Sequence, residues 1–354
     1  MPRYLPIPRV DPLAWQRAAD RGADVGAYVT EFPLAGSAYA WFDSVNCYAD
    51  DGRVEDLLAT ELDAGTRHRL SARRSDLCGL TLDRPRVMGI VNVTPDSFSD
   101  GGDRASVAAA VAGAEEMVAA GVDILDIGGD STRPGAETVA DTEEIHRVVP
   151  VIRAIRDAGI RTPISIDTRK SAVAARALEA GADLVNDVSA LRFDSVMAGL
   201  VAEREVPVCL MHAKGAPKDM QDAPRYDDVL GEVFDFLGER MDAAIAAGIA
   251  RDRIVTDPGI GFGKTLAHNL ALLRGLALFH DLGAPILLGA SRKRFIGTLS
   301  EAEAPKARMP GSLAVAQHGA GQGVHILRVH DVLETRQALD LWRAMHEQKD
   351  HVDG

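Results

Sequence analysis

Short apolar runs alternate with longer Ala-rich stretches from Arg86 to the end of the chain. The runs are rich in Val, Ile and Leu and are continuous, which is typical of parallel strands covered on both faces. They are VMGIVN (87–92), VDILDI (122–127), PISID (163–167), DLVND (183–187), VPVCL (206–210), RIVTD (253–257), PILLG (285–289) and VHILRV (324–329).

The stretches that follow the runs are predicted helices. They are 106–120, 141–158, 170–180, 194–204, 226–248, 266–279, 311–321 and 331–347. Eight strands that alternate with eight helices predict an α/β fold of the (β/α)8 TIM-barrel type. A doubly wound open sheet has the same alternation and stays an alternative, because periodicity alone does not separate the two.

Residues 1–85 lack this alternation. Their apolar residues are scattered, and the aromatics cluster around Tyr39, Trp41 and Phe42. We therefore divide the chain into an N-terminal extension of uncertain order (1–85) and a barrel (86–354). Trp41 and Phe42 are costly to expose together, so we expect the extension to pack on the outside of the barrel or on a partner subunit.

A polar residue lies at or just past the end of every apolar run. These residues are Asn92, Asp126, Asp167, Asn186, His212, Asp257, Ser291 and Arg328. In a barrel the carboxyl ends of the strands meet on one face, where active sites are built. Strand ends that simply enter polar loops would explain one or two such residues, but they explain eight poorly.

The loops after the first two runs carry further candidate chemistry. The first follows Asn92 in MGIVNVTPDSFSDGG (88–102) and is polar, with two glycines at its end. An ordinary surface loop is the alternative, but loops of more than about twelve residues are usually functional, and residues 93–105 separate Asn92 from the next predicted helix. The second lies within DIGGDSTRPGAE (126–137), where two glycines predict a tight turn. Thr132, Arg133 and Pro134 follow there, and Arg is well suited to clamping a phosphate or carboxylate.

Three of the strand-end residues, Asp167, Asn186 and Asp257, carry hydrogen-bond acceptors. Across a barrel mouth they can converge on one flat heterocycle, whose N–H groups would pair with the carboxylates. A divalent metal site built from the same carboxylates is the competing interpretation.

The sixth run leads into DPGIGFGKT (257–265), which invites comparison with a phosphate-binding loop. Pro258 stands where the Walker A pattern requires Gly, so the match fails. We interpret the segment as a glycine-rich turn that lets the backbone and Phe262 approach a ligand, with Lys264 and Thr265 in structural roles.

The last two runs lead into a concentration of positive charge. GASRKRFIG (289–297) and RVHD (328–331) contribute Ser291, Arg292, Lys293, Arg294, Arg328 and His330. TIM barrels often bind phosphate with the loops after strands seven and eight. A solvated charge run is the competing interpretation; it would account for Arg292 alone, but Lys293 together with Arg328 and His330 argues against it.

Overall charge and cysteine content narrow the class of protein. The formal net charge is −13, so binding of nucleic acid through bulk electrostatics is not expected, and the basic group above is a local feature. The three cysteines are far apart, which indicates reduced thiols rather than disulfides or a metal site. No apolar run has the length of a signal peptide or membrane span. We predict a cytoplasmic protein with neither nucleic-acid nor membrane partners.

At this level of detail the motifs resemble a known family. MGIVNVTPDSFSDGG and DIGGDSTRPGA resemble the two signature segments of the dihydropteroate synthases, and SIDTRK, LVNDV, MHAKGAPKDMQ, DPGIGFGK, SRKRFIG and RVHD follow in the family's order. The resemblance runs from about Arg86 to the C-terminal helix. It implies a transferase of folate biosynthesis, in which the amine of p-aminobenzoate displaces pyrophosphate from 6-hydroxymethyl-7,8-dihydropterin pyrophosphate to give 7,8-dihydropteroate.

The resemblance also implies roles for individual residues. The pterin would be held by Asp167, Asn186, Asp257 and Lys293. The p-aminobenzoate pocket would be formed by Thr132, Arg133, Pro134, Phe262, Ser291 and Arg294. Pyrophosphate would contact Asn92, Arg328 and His330, with Asn92 also at a Mg2+ ion, and the catalytic group would be Asp257, Lys293, Arg328 and His330. A homodimer is implied as well.

Two positions depart from the family pattern. Arg294 stands where many members have Ser, which bears on how the benzoate carboxylate is held. Ala213 and Lys214 stand where Met and Gln are familiar, with little effect expected.

Two other functions remain as alternatives. Pterin-binding barrels also occur in methyltransferases that use methyltetrahydrofolate, but those need no pyrophosphate site. A barrel that only binds pterin would require damaged motifs. For the extension, a fused pterin kinase is the competing idea, and about 85 residues without a phosphate-binding signature are too few for one.

Overall fold

The structure is a computed structural model that describes residues 2–10, 31–49, 52–93, 102–130, 139–215 and 223–346. Thr132, Arg133 and Pro134, which were predicted to line the p-aminobenzoate pocket, lie outside the described residues. In the part of the chain that is described, no helix has both the length and the apolar character needed to cross a bilayer.

The described residues of the N-terminal extension form short strands, two short 3-10 helices and one α-helix. Three strands, β1 (Arg3–Pro6), β4 (Ser44–Tyr48) and β5 (Val54–Leu58), form an antiparallel sheet in the order β1-β4-β5. A separate pair is formed by β2 (Phe32–Pro33) and β3 (Trp41–Phe42). Helix α1 (Ala64–Ser71) begins after Asp63, whose carboxylate accepts a hydrogen bond from the N–H of Thr66 and so caps the helix.

Eight parallel strands follow and form the barrel. They are β6 (Arg86–Asn92), β7 (Ile124–Gly128), β8 (Ile164–Asp167), β9 (Leu184–Asp187), β10 (Val208–Met211), β11 (Ile254–Asp257), β12 (Leu287–Leu288) and β13 (Ile326–Val329). Each pairs with its neighbours in sequence, and β13 pairs with β6. A bridge from Thr256 to Ile286 joins β11 to the start of β12 and closes the ring. The predicted TIM barrel is confirmed, and the open sheet is excluded.

Helices lie between the strands. They are α2 (Gly102–Ala119), α3 (Asp141–Asp157), α4 (Ser171–Ala180), α5 (Met197–Arg204), α6 (Val229–Ala246), α7 (Leu266–Arg274), α8 (Arg294–Ser300), α9 (Met309–Gly321) and α10 (Val332–His346). Two predictions were wrong in detail. The helix predicted over 266–279 ends at Arg274, before a 3-10 segment at Leu276–Leu282, and the short helix α8 was not predicted.

Each barrel strand presents one face to the helices and one to the lumen. Side chains on a strand alternate between faces, so residues two apart share a face. The lower lumen is apolar, because Ile124, Leu184, Val255 and Ile326 belong to one buried cluster. The residues two positions later on the same strands are polar: Asp126, Asn186, Asp257 and Arg328. Along each of these strands, the apolar floor of the lumen and its polar upper layer are therefore only two residues apart.

A short turn closes the N-terminal mouth of the barrel. Leu77 and Leu80 form an isolated antiparallel bridge, and the buried side chains of Leu77 and Leu82 belong to the same apolar cluster as the barrel floor. Burying each of these side chains contributes about 1.5–3 kcal/mol. We call residues 77–82 the floor turn. It lies within the extension as divided from the sequence, yet it packs as part of the barrel.

Other described residues of the extension pack on the outside of the barrel. Phe42 is fully buried in a cluster that includes Leu70 and Ala277, and Ala277 belongs to the 3-10 segment after α7. The ring of Tyr39 lies 5.7 Å from that of Trp342 in α10. The Nε of Arg69 donates a 2.7 Å hydrogen bond to Asp281 in the same 3-10 segment.

Candidate active site

An ion-paired cluster occupies the polar layer of the lumen. Arg328, on β13, donates from Nε to Asp126 Oδ2 at 2.6 Å and from Nη2 to Asp167 Oδ2 at 2.7 Å. Burial raises the pKa of Asp167 to about 7, with Arg328 acting in the opposite direction and Asp126 adding to the increase. Burial also disfavours charge on Arg328, but the two carboxylates outweigh this and raise its pKa. The guanidinium thus holds two neighbouring carboxylates together in one buried cluster.

Two carboxylate oxygens in this cluster lack partners. Within the described residues, the Oδ1 atoms of Asp126 and Asp167 are buried and accept no hydrogen bond. Asn186 approaches from β9, with its Nδ2 3.4 Å from Asp126 Oδ2. Leaving a buried acceptor unsatisfied costs about 1–3 kcal/mol, which a ligand that brings N–H donors would recover. The cluster is therefore suited to a ligand with a row of N–H groups.

Asp257 and Lys293 lie on the opposite side of the polar layer. Asp257 is buried at the end of β11, and its Oδ1 accepts a 2.7 Å hydrogen bond from the N–H of Gly259. Burial raises the pKa of Asp257, while Lys293 and the Gly259 N–H oppose the increase. Burial lowers the pKa of Lys293 to about 8, with Asp257 in opposition. Lys293 Nζ also donates to the carbonyl of Ile260.

The turn after β11 requires glycine for a physical reason. Gly259 has φ +67° and a Cβ there would lie 1.8 Å from the His212 carbonyl oxygen, while a Cβ on Gly263 would lie 2.2 Å from that of Lys214. Both positions therefore combine a left-handed backbone with close approach of another chain segment. The predicted glycine-rich turn is present, and the described atoms show why larger residues do not fit.

Lys264 is buried in this turn and holds it together. Its Nζ lies 2.8 Å from His212 Nδ1 and donates to the carbonyls of Gly259 at 2.9 Å and Phe262 at 3.0 Å. Burial and the adjacent ammonium lower the pKa of His212 to about 2. Thr265 caps α7 by accepting from the N–H of His268. Both residues were expected to be structural, and these contacts fit that expectation.

The loops after β12 and β13 meet at the basic end of the mouth. Ser291 Oγ lies 3.1 Å from His330 Nδ1 and accepts from the His330 N–H at 3.2 Å. Arg292 forms a two-pronged ion pair with Asp331, with a 3.0 Å contact from Nε. Arg292 thus ties the two loops to each other, whereas Ser291 and His330 share one hydrogen-bonded corner. The interpretation of Arg292 as a solvated charge was wrong.

The residues predicted to bind p-aminobenzoate are only partly in view. Phe262 is half-buried, with its ring centre 4.4 Å from Lys293 Nζ, so it adjoins the Asp257 side of the polar layer. Arg294 is exposed at the start of α8. Next to the undescribed loop, a Cβ on Gly129 would lie 2.7 Å from Val148 Cγ1, and neither Gly128 nor Gly129 has a positive φ. Gly129 therefore allows helix α3 to pack closely, whereas the tight turn predicted from the two glycines continues into residues outside the described ones.

Asn92 is the last residue of β6, and it is exposed at the mouth. Of the eight strand-end residues, Asp126 and His212 were assigned no role from the sequence, although Asp126 lies in the buried ion-paired cluster. Asp126 is completely buried and pairs with Arg328, a residue 202 positions later in the chain. Its place at the end of the second apolar run was the available signal, but its partner follows only from the closed ring.

Comparison with known proteins agrees with this geometry. A family model described as pterin binding enzyme matches residues 88–330. The dihydropteroate synthase of Escherichia coli K12 is 47% identical over 272 residues, which cover 77% of this chain and 95% of that protein. The chain belongs to the dihydropteroate synthases. It is therefore a pterin-binding transferase of folate biosynthesis.

Solved dihydropteroate synthases have the same fold. The Xanthomonas albilineans enzyme with 4-aminobenzoic acid is 51% identical, with a TM-score of 0.72, and the match covers 77% of this chain and 97% of that one. A second structure of that enzyme, in complex with 7,8-dihydropteroate, has a TM-score of 0.68 at 48% identity and covers 75% of this chain and 95% of that one.

Proposed function

We propose that this dihydropteroate synthase joins 6-hydroxymethyl-7,8-dihydropterin pyrophosphate to p-aminobenzoate with the polar layer of the lumen as its pterin site. The observation that carries the assignment is the pair of buried, unpartnered Oδ1 atoms on Asp126 and Asp167 in the described residues. A pterin has several N–H groups along one edge, and carboxylates accept such donors in charge-assisted pairs. Asn186, Asp257 and Lys293 complete the pterin set.

The reaction requires the carbon–oxygen bond to the leaving pyrophosphate to break. Positive charge develops on the pterin as the bond breaks, and the buried carboxylates of Asp257 and Asp167 favour it. Such preorganised charge is worth more in a buried site than in water. The amine of p-aminobenzoate is already a nucleophile, so neither a covalent enzyme intermediate nor a strong general base is needed.

The leaving pyrophosphate is assigned to the basic corner. Arg328 contacts Asp126 and Asp167 through Nε and Nη2, so its Nη1 is available for an anion. His330 adjoins it on the loop after β13 and shares a hydrogen bond with Ser291. Arg328 then contacts both substrate halves, because it adjoins the pterin carboxylates and the phosphate corner.

A Mg2+ ion fits this corner with Asn92 as its protein ligand. Mg2+ commonly takes one or two protein oxygens and completes its octahedron with substrate phosphates and water. Asn92 supplies an exposed amide oxygen, and no group of three His, Cys, Asp or Glu side chains suited to a metal occurs among the described residues. The ion would neutralise charge on the departing pyrophosphate.

For p-aminobenzoate, we propose a pocket formed by Thr132, Arg133, Pro134, Phe262, Ser291 and Arg294. Support comes from the place of Phe262 beside Lys293, which puts an aromatic face next to the pterin site. Arg294 replaces the small residue familiar here and adds a cation at the start of α8, close to where a benzoate carboxylate would lie.

We also propose a homodimer that works in the cytoplasm. The division into an extension (1–85) and a catalytic barrel (86–354) stays a proposal, with the floor turn as the part of the extension that packs into the barrel. Helix α10 exposes Leu333, Leu341 and Met345 on one face, at 51%, 62% and 59%. An exposed apolar stripe of this kind is typical of a surface that another subunit covers. Sedimentation of the purified protein measures the oligomeric state directly.

The decisive experiment is direct. The purified protein is incubated with both substrates and Mg2+, and the products are separated and identified. Formation of 7,8-dihydropteroate and pyrophosphate in equal amounts supports the assignment. Release of pyrophosphate without dihydropteroate, or no reaction with either substrate, contradicts it.

A further inference from the structure

A second buried ion cluster lies outside the pterin site. Lys170 is 3% exposed, and its Nζ donates to Glu144 Oε2 at 2.6 Å. Glu144 is fully buried in the first turn of α3, and its other oxygen accepts from Thr168 Oγ1 at 2.7 Å. The helix N-terminus favours a negative charge at this position. Neither Lys170 nor Glu144 has a role in the reaction as proposed above.

The ammonium of Lys170 also contacts both ends of one loop. Its Nζ lies 3.5 Å from Asp130 Oδ2 and 2.5 Å from the carbonyl oxygen of Val139. Asp130 and Val139 are the described residues on either side of the segment that carries Thr132, Arg133 and Pro134. The ammonium thus donates to Val139 on the second stem and to Glu144 on α3, and it forms ion pairs with Asp130 on the first stem and, at 4.0 Å, with Asp141 at the start of α3.

The base of Lys170 is itself fixed to the pterin side of the lumen. Lys170 follows Asp167 by three residues, and the N–H of the intervening Thr168 donates to the carbonyl of Asn186 at 3.1 Å. The side chain therefore connects the ends of β8 and β9, which carry two proposed pterin ligands, with the two stems of the neighbouring loop.

We propose that Lys170 is a positioning residue that fixes the stems at Asp130 and Val139 and thereby sets the p-aminobenzoate side of the site. The inference rests on the proposed function of Thr132, Arg133 and Pro134. Displacement of a binding group by about 1 Å can cost ~10²-fold in rate, so loss of a shared anchor acts on the reaction from a distance.

The test compares variants of the full-length protein. Lys170→Met should raise the KM for p-aminobenzoate by about tenfold or more. The Kd for the pterin pyrophosphate is measured by calorimetry at about pH 9, because the charge of Glu144 helps to raise the pKa of Asp167 and would otherwise alter pterin binding. At that pH Asp167 is ionised, and the Kd should change by less than about twofold because the pterin cluster keeps its hydrogen bonds. Hydrogen exchange of the amides around Asp130 and Val139 should increase as well, and this readout does not depend on activity.

Two further variants keep the proposal testable if Lys170→Met does not fold. The double variant Lys170→Met/Glu144→Gln removes the buried charge left without a partner, which is the main cost of breaking such a pair. Asp130→Asn leaves the Lys170–Glu144 pair intact and weakens only the first stem. Both should raise the KM for p-aminobenzoate in the same direction, with a smaller effect for Asp130→Asn.

Arg156→Met is the matched control at the other end of the same strands. Arg156 donates to the carbonyls of Thr162 at 2.8 Å and Gly181 at 2.8 Å and to Asp183 at 2.6 Å, just before β8 and β9. Its loss should lower stability and leave both KM values unchanged.

The proposal fails if no stem variant changes the KM for p-aminobenzoate, or if Arg156→Met changes it equally. A pterin Kd that rises with the KM also overturns it. Absence of dihydropteroate with the native protein would instead refute the proposed function, and the exchange measurement would still decide whether Lys170 holds the stems.

Discussion

The raised pKa of Asp167 makes pterin binding depend on pH. A pterin that donates N–H groups to this carboxyl needs it ionised, whereas burial raises the pKa to about 7 from 3.8. The apparent affinity of a ligand falls by the fraction of protein in the competent state. At about pH 6 roughly one molecule in ten has Asp167 ionised, against about nine in ten near pH 8. The Kd should therefore be about tenfold larger at pH 6.

Calorimetry with 6-hydroxymethyl-dihydropterin, which lacks the titrating pyrophosphate, measures this at both pH values. Asp167→Asn is the control, because the ligand's own titration affects both proteins equally. We expect the variant to bind more weakly by about 1.5–3 kcal/mol, with little dependence on pH in this range. A native protein with equal affinity at pH 6 and 8, or a variant with the native slope, would refute the reasoning.

The same carboxyl group also makes folding stability depend on pH, and this dependence is opposite in direction to that of pterin binding. Its pKa is higher in the folded chain than in the unfolded one, so the folded state binds more protons between these values. The stability it contributes is complete below pH 3.8 and is lost as the pH rises through about 7. The difference corresponds to about 4 kcal/mol. Urea unfolding at about pH 5 and pH 8 should show about 2.7 kcal/mol of this loss in the native protein and a smaller change in Asp167→Asn.

Three further predictions concern the lumen and the extension. Arg328→Ala should destabilise folding by about 3–5 kcal/mol, because it leaves two buried carboxylates unpaired. The same variant should weaken binding of pyrophosphate more than binding of the plain pterin, and equal losses would make Arg328 purely structural. Asp257→Asn should cost roughly 1.5–3 kcal/mol of pterin affinity by calorimetry, and unchanged affinity would contradict its assignment. A chain that begins at residue 72 should retain synthase activity. A chain that begins at residue 82 loses Leu77 from the barrel floor and should melt at a lower temperature than the first. Equal melting temperatures of the two chains would show that the floor turn adds no stability.

The alternation of apolar runs with Ala-rich stretches was sufficient to predict the barrel, because parallel strands buried on both faces leave a continuous apolar pattern. The lengths of individual strands and helices were not predicted correctly where tertiary contacts or a short element length determined them. The seventh strand is reduced to Leu287–Leu288, because only these two residues pair with β13 and a single bridge at Ile286 joins the segment to β11. Helix α8 has seven residues, too few for a helical period to stand out.

The site was predictable as a set of positions but not as a set of contacts. The strand-end residues could be assigned to one face of the barrel from the sequence, because the carboxyl ends of all parallel strands lie on that face. The pairing of Arg328 with Asp126 depends on closure of the ring between β13 and β6, which no local pattern contains. The packing of the floor turn could not be predicted for a similar reason, because Leu77 and Leu82 contact residues on strands from all parts of the barrel.

Closure of the ring between its first and last strands has a consequence for synthesis of the protein. Arg86 of β6 is paired with Ile326 of β13, and Tyr39 of the extension packs on Trp342 near the C-terminus. During translation the N-terminal segments leave the ribosome long before these partners exist. The edge of β6 and the ring of Tyr39 stay unpaired until β13 and the last helix emerge, at a translation rate of about 5–20 residues per second. During that interval the nascent chain exposes an unpaired strand edge and apolar surface. Chaperones bind chains in this state, and such chains are prone to aggregate.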